Sequence, residues 1–406
     1  MELYTFKLFD ILSYQSIFLK YKNTRKTLSV VKKTLLAKKY PRTAIQLIID
    51  GFKDKFNLHE DKSSNPNLIV LYVSEACNLR CPMCLIWKSR DVFGNTSTTR
   101  KLLTLEDVKE IVRQVEPFKP MFYFIGGEPT INPDLISIIS YIHKKGMVTQ
   151  LTTNGWLLPF FAKKLYESGL DLISISLDGP NSKTHDKNRG VKGVFDRVST
   201  GIKTLVKIKK ENHSMFPNIN INTVVTPWNV DKLEKIILIA KTLQVDEMSF
   251  QNFSFFGREV QKLNDSYIVF NKTGKIIMGM QIKGKTPFSE ISIKKISSFL
   301  KNLTKLSKKY DLLLYNFPNV NNHQKYYAGE FPSTITSYCY RPWHVMTIRG
   351  SGDLEICQGY VAGNIRKEKL MEIWNNTKYK YFRKIIKKDH MTPACYRCCY
   401  LKYSFT

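Results

Sequence analysis

Three cysteines, Cys77, Cys81 and Cys84, stand close together in the spacing C-x3-C-x2-C. Thiolates are iron ligands, and so short a loop lets three of them take three corners of one iron–sulfur cube. No fourth cysteine is near, so one iron keeps an open position that can grip a small molecule. A structural zinc site or a closed cluster would call for four protein ligands. The remaining cysteines, Cys339, Cys357, Cys395, Cys398 and Cys399, form a second clump near the end of the chain. Clumped cysteines read as metal ligands rather than as a disulfide framework. By spacing alone, a four-cysteine zinc site is a plausible alternative to a cluster for the second clump.

Secondary structure must bring these loops to a reaction centre. From about residue 66, short apolar runs alternate with amphipathic stretches. The pattern predicts strands over 68–72, 121–125, 148–152, 172–177, 219–225 and 247–253. It predicts helices over 105–116 (opened by a Thr104 cap), 134–145, 160–168, 194–210, 230–243 and 291–310. Strict alternation argues parallel strands covered by helices. Six units fall short of a closed eightfold barrel. The expected fold is therefore α/β, an open partial (β/α)6 barrel, with its chemistry at the carboxyl ends of the strands. The expected division is a basic helical N-terminal cap over 1–65, a core over 66–256, an insertion with the last barrel helix over 257–330, and a cysteine-bearing extension over 331–406.

The chain has 406 residues, 43% hydrophobic and 24% charged, a globular balance. Lys and Arg number 63 against 34 Asp and Glu, a net charge of +29. Such an excess attracts nucleic acid, anionic lipid or an acidic substrate, and it equally describes a surface of solvated lysines. No aromatic–basic recognition motif favours nucleic acid. Ile11, Leu12, Ile17 and Phe18 give apolar spacing, and Lys20, Lys22, Arg25 and Lys26 follow with charge. This basic helical segment either caps the main domain or lies on a membrane surface. No apolar run is long enough to span a bilayer, and Glu2 and Asp10 interrupt any signal peptide. The expected location is cytoplasmic, with peripheral contact at the inner membrane face as the alternative.

The run Ser74-Glu75-Ala76-Cys77-Asn78-Leu79-Arg80-Cys81-Pro82-Met83-Cys84 resembles the signature of the radical S-adenosylmethionine superfamily. Later segments resemble that family in the right order. They are Gly126-Gly127-Glu128-Pro129, Thr152-Thr153-Asn154-Gly155, Ser174 and Ser176 before Asp178-Gly179, and His185-Asp186 before Arg189-Gly190. The resemblance covers about residues 66–256. It implies that Cys77, Cys81 and Cys84 hold a 4Fe–4S cluster whose open iron is chelated by S-adenosylmethionine. It also implies cleavage to a 5′-deoxyadenosyl radical that takes hydrogen from an unactivated C–H bond. Cofactor contacts are implied for Met83, where the family usually has an aromatic residue. They are implied too for Gly126, Gly127 and Glu128 near the methionine end, and for Thr153 and Asn154. Ser176 and Asp178 would meet the ribose, Arg189 the carboxylate, and Asn222 the last strand ends, with Thr223 and Gln251 as further candidates. An electron donor such as flavodoxin or ferredoxin is the implied partner. No catalytic base is singled out.

Cys339, Gly352, Cys357, Gly363-Asn364-Ile365, Met371-Glu372-Ile373-Trp374 and Cys395-x2-Cys398 resemble the C-terminal extension called SPASM, or its shorter twitch form. That extension binds auxiliary iron–sulfur clusters. Here the resemblance implies one, 4Fe–4S, on Cys339, Cys357, Cys395 and Cys398. The C-x2-C spacing selects Cys398 over Cys399, which is left as a small buried residue. Members of this group mature peptides or oxidise sugars and other small molecules, so a peptide or small-molecule substrate is expected. Radical modification of a lipid or anionic substrate, and a non-catalytic electron carrier, are the alternative readings.

Overall fold

A computed structural model of the chain describes residues 35–56, 58–84, 102–256, 285–330, 339–357 and 360–389, with 262, 280–281, 334–335, 395, 398 and 403–404. Most of the basic N-terminal stretch, most of 257–284, and Cys399 lie outside the described residues.

One sheet organises the molecule. Its strands are β1 (Leu68–Ser74), β2 (Met121–Gly126), β3 (Thr149–Thr153), β4 (Leu172–Ser176), β5 (Asn218–Val225), β6 (Glu247–Asn252), β7 (Leu313–Phe317), β8 (Val345–Ile348), β9 (Asp353–Cys357) and β10 (Tyr360–Asn364). Its helices are α1 (Pro41–Lys55), α2 (Leu105–Val115), α3 (Leu135–Lys144), α4 (Leu158–Glu167), α5 (Ser182–Arg189), α6 (Val194–Glu211), α7 (Leu233–Thr242), α8 (Glu290–Lys301), α9 (Leu303–Tyr310), α10 (His323–Tyr327), α11 (Arg341–His344), α12 (Leu370–Trp374) and α13 (Thr377–Asp389). The first six strands fall on the short runs read from the sequence, each carrying apolar residues on the face that the helices cover. Helix α2 opens with a capping box: the Thr104 hydroxyl accepts from Asp107 N–H, and the Asp107 carboxylate from Thr104 N–H. Its face of Val108, Ile111, Val112 and Val115 is buried.

The strand order is β10-β9-β8-β1-β2-β3-β4-β5-β6-β7. Strands β8 and β1 to β7 are parallel, and β9 and β10 add an antiparallel hairpin at one edge. The sheet is open, as expected of a partial barrel, yet larger than six units. The helix expected over 291–310 is two, α8 and α9, divided at Asn302, and a seventh parallel strand follows them. The C-terminal extension joins the same sheet, with β8 beside β1 in the register Leu68↔Val345. Among the described residues, no helix is long and apolar enough to cross a membrane.

Strand β5 shows how the inner face is made. Ile219, Ile221, Thr223 and Val225 are buried, while Asn218, Asn220, Asn222 and Val224 are half-buried. Period-two alternation sends the apolar set to the helices and the asparagines to the interior of the curved sheet.

Candidate active site

Strand β1 delivers the first cysteine loop, 75–84, to the carboxyl edge of the sheet. Fully buried Leu79 pins its middle. Leu79 N–H donates to Cys77 Sγ at 3.4 Å, and Cys84 N–H to the Cys81 carbonyl at 3.0 Å. Burial pushes the Cys77 thiol up to about 11; Leu79 N–H opposes this, while Glu128, Cys81 and Cys84 reinforce it. Burial also raises Cys81, with Arg189 opposing and Cys84 adding. Cys81 and Cys84 oppose the ionisation of Cys77, and Cys84 that of Cys81, so the sulfurs share one small space. A bound cation there relieves the repulsion and completes deprotonation. Three sulfur donors on one loop fit a cluster with one iron left open.

Gly126 and Gly127 close against this loop. Gly127 N–H donates to the Ser74 carbonyl and Glu128 N–H to the Ala76 carbonyl, both at 2.8 Å. A Cβ on Gly127 would stand 2.2 Å from the Ala76 carbonyl oxygen, and one on Gly126 2.1 Å from that of Ser74. Only glycine permits so close a backbone approach.

Two of the expected cofactor contacts, Glu128 and Thr153, hydrogen-bond to each other. Glu128 is 1% exposed. Its Oε1 accepts from Thr130 N–H at 3.1 Å, from the Thr130 hydroxyl at 2.6 Å and from the Thr153 hydroxyl at 2.6 Å; its Oε2 accepts from Asn154 N–H at 2.7 Å. Burial pushes the Glu128 carboxyl up, against these four donors. Glu128 and Thr153 therefore tie the end of β2 to the end of β3. Asn154 stays on the cysteine loop, where its Nδ2 donates to Asn78 Oδ1 at 2.8 Å and reaches Cys77 Sγ at 3.7 Å.

Asp178 is likewise turned inward, with 0% exposure. Its carboxylate pairs with Arg189 Nη2 at 2.6 Å and accepts from Val224 N–H at 2.8 Å. It anchors Arg189. The Arg189 charge also lowers the Cys81 thiol, so its guanidinium lies near both a carboxylate and a cluster-loop sulfur. Thr223 also points away, its hydroxyl donating to the Leu177 carbonyl at 2.6 Å. Ser176 closes β4, Met83 packs on the core beside the loop, and Asn222 faces the interior with its Nδ2 3.2 Å from Gln251 Oε1.

The second cysteine set comes from three places. Cys339 precedes α11, Cys357 ends β9, and Cys395 and Cys398 follow α13. Burial raises Cys339, and Cys395 and Cys398 add to it; Cys357 is raised by burial and then by the other three. Cys398 N–H donates to the Cys395 carbonyl at 3.1 Å, the turn also made by Cys81 and Cys84. The four sulfurs fit a closed four-thiolate centre.

A cavity of about 300 Å³ occupies the inner face of the sheet. It runs from Leu172, Asn218 and Glu247, the first residues of β4, β5 and β6, to Ile125, Asn222 and Gln251 near the far strand ends. Cys357 and Cys398 form part of its wall. Arg349 lies over the Tyr72 ring at 4.0 Å and pairs with Glu355 at 2.9 Å. The sequence reading named Asn222 and Gln251 but missed Asn218 and Asn220. The alternation Asn218-Ile219-Asn220-Ile221-Asn222 carries that signal. Nothing local could place Arg349 against Tyr72, since that contact depends on β8 pairing with β1.

Comparison with known proteins bears on this arrangement. The family model for the radical SAM superfamily matches residues 71–240, and that for an iron–sulfur cluster-binding domain matches residues 339–399. An AdoMet-dependent heme synthase of Methanosarcina barkeri is 28% identical over 83% of this chain and 89% of its own. A tungsten-containing aldehyde ferredoxin oxidoreductase cofactor-modifying protein of Pyrococcus furiosus is 27% identical over 81% of this chain and 86% of its own. Streptococcus suis SuiB, solved with S-adenosylmethionine, superposes with a TM-score of 0.58 at 18% identity, over 84% of this chain and 73% of its own. SuiB has also been solved with its precursor peptide, at a TM-score of 0.56.

Proposed function

Because the chain belongs to the radical S-adenosylmethionine superfamily and carries its SPASM-type extension, we propose that it functionalises an unactivated C–H bond in the cavity. The substrate is a small polar molecule or one polar side chain of a peptide. The protein is an enzyme whose cofactors are S-adenosylmethionine, a 4Fe–4S cluster that binds it, and an auxiliary iron–sulfur cluster. When bound, the first two supply a 5′-deoxyadenosyl radical that takes hydrogen from carbon.

The chain's own residues divide the remaining work. Cys77, Cys81 and Cys84 hold the first cluster, and Cys339, Cys357, Cys395 and Cys398 the auxiliary one. Gly126 and Gly127 keep the backbone low beside the cluster loop. Asn154 directs an amide N–H at Cys77, and Arg189, fixed by Asp178, holds a positive charge at Cys81. Asn222 and Gln251 orient polar groups at the strand ends.

The cavity carries the substrate reading. Its charged wall is balanced, Arg341 and Arg349 against Glu247 and Glu355, and amides and hydroxyls share the rest with apolar Ile125, Leu172, Ile173 and Phe317. That lining suits a hydrogen-bonding group better than a polyanion. A volume near 300 Å³ is at the small end of ligand sites. Both substrate classes occur among the similar proteins, one named for heme synthesis and one solved with a peptide.

The test is anaerobic reconstitution followed by dithionite and S-adenosylmethionine, with 5′-deoxyadenosine measured by chromatography. Production of that nucleoside, and transfer of deuterium into it from a labelled substrate, are expected. Fully reduced, iron-loaded protein that leaves the cofactor intact would instead be an electron carrier.

One feature favours a second reading, a substrate held at a lipid surface. Helix α1 exposes Ile45, Ile48, Ile49 and Phe52, with Phe56 just beyond it, as a stripe at helical spacing, and Lys53 and Lys55 lie in its last turn. Co-sedimentation with anionic liposomes should weaken when Ile45, Ile49 and Phe52 are together changed to Ser. Equal binding by wild-type and substituted protein would count against this reading.

A further inference from the structure

Helix α1 is amphipathic the wrong way round. It exposes Ile45 at 57% and Phe52 at 45%, and it buries Asp50 at 4% and Asp54 at 6%. Buried carboxylates are expensive unless a positive partner meets them. Here two imidazole nitrogens approach Asp54. His59 Nε2 stands 2.5 Å from Asp54 Oδ1, and His344 Nε2 stands 2.7 Å from the same oxygen. The three ligand atoms lie within 4.8 Å of one another, and none of the three residues is exposed.

The surroundings are those of a built site. Asp50 Oδ2 stands 3.6 Å from His344 Nδ1. Asp50 is itself oriented by Gln46 Nε2 at 2.9 Å and Asn67 Nδ2 at 2.8 Å. One ring nitrogen of His344 therefore faces the cluster of donors and the other faces a carboxylate. Metal-bound histidines are commonly oriented in this way. Tyr340 donates its hydroxyl to the Asp54 carbonyl at 2.7 Å, and the rings of Tyr340 and Trp343 lie 5.0 and 5.3 Å from that of His59.

We propose that Asp54, His59 and His344 bind a divalent transition-metal ion of the zinc type, at a site separate from both cysteine sets. Two imidazole nitrogens and one carboxylate oxygen form a borderline donor set that zinc accepts. Ligands on a tetrahedral ion stand roughly 3.3 Å apart, so small side-chain shifts admit it. The ion ties α1 to α11, whose last residue, His344, runs directly into β8. It therefore fastens the N-terminal segment and the C-terminal extension to each other where β8 meets β1.

Full-length protein with its clusters reconstituted is dialysed anaerobically against zinc chloride and then against a weak chelator. Zinc and iron are counted by mass spectrometry, and the zinc shell is read by X-ray absorption at the zinc edge, which iron does not obscure. About one zinc per chain is expected, with nitrogen and oxygen neighbours near 2.0 Å. His59→Gln and Asp54→Asn should each lower retained zinc about tenfold with iron unchanged. Three results overturn the proposal: no zinc retained by the wild type, a sulfur shell near ~2.3 Å that places zinc in a cysteine set, or zinc kept in both variants. The wild-type shell decides the matter even where a variant fails to fold. A purely proton-linked His–Asp–His cluster gives the first of these results.

Discussion

A methyl group at Gly127 would meet the Ala76 carbonyl at 2.2 Å, and that carbonyl already accepts from Glu128 N–H. Neither partner can yield without moving the loop that carries Cys77. Gly127→Ala should therefore disturb the first cysteine set and spare the second. Iron content after reconstitution should fall by roughly half, since each set would hold a four-iron cluster. Full iron with an unchanged resonance spectrum of the reduced protein would contradict this. The thiols make a second prediction. Burial raises Cys77 from 9.0 to about 11, so the cluster-free fold favours the neutral thiol. That stabilisation is complete below pH 9 and is lost as pH rises towards 11. Cluster-free protein should accordingly lose thermal stability across that window. Loaded protein, whose sulfurs are already ionised and compensated, should not. Parallel melting curves for the two forms would expose the error if they fell together.

Elements are held to one another by a few buried polar residues, Arg383 on α13 among them. It is fully buried and donates to the carbonyls of Pro342 at 2.9 Å, Trp374 at 3.0 Å and Asp61 at 3.1 Å, and to Asn375 Oδ1 at 2.9 Å. Its guanidinium also stacks 4.6 Å from the Trp374 ring. Burial pulls it down to about 10, so it stays charged at neutral pH. Arg383→Lys keeps the charge and loses the planar fork, leaving buried acceptors unpaired. Unfolding stability should drop by roughly 3 kcal/mol, and a denaturation midpoint equal to wild type would refute that. Such ties explain what the sequence could and could not reveal. Strands β1 to β6 were legible because each is a short run with apolar residues against the helices, set between amphipathic helical stretches. Strand β7 was not, because five residues directly after a helix carry no period of their own. Helix α5, Ser-Lys-Thr-His-Asp-Lys-Asn-Arg, has no apolar face for periodicity to find. At the site, residue type pointed to the right segments. It could not tell that Glu128, Thr153 and Asp178 turn their oxygens inward, because the donors they meet lie on neighbouring strands and loops.

Across the whole molecule, the continuous sheet sets the distance between the two cysteine sets. The first leaves the carboxyl end of β1. Strand β9 runs antiparallel to β8 with Thr347 opposite Glu355, which brings Cys357 level with Val345 and hence with Leu68, the first residue of β1. The two sets therefore sit at opposite edges of the sheet, about one strand length or roughly 20 Å apart. The cavity extends along that length and reaches Cys357 and Cys398. A substrate lying in it can lose hydrogen towards one edge and an electron towards the other. Net oxidation should then depend on the second set, whereas cofactor cleavage should not. Cys357→Ser is expected to remove the auxiliary iron and leave 5′-deoxyadenosine formation near the wild-type rate. The ratio of oxidised product to that nucleoside should fall about tenfold or more. Both quantities come from one anaerobic time course with dithionite and substrate. A ratio that holds steady while the auxiliary iron is gone would make the second set an anchor for the extension, with the electron leaving by another route.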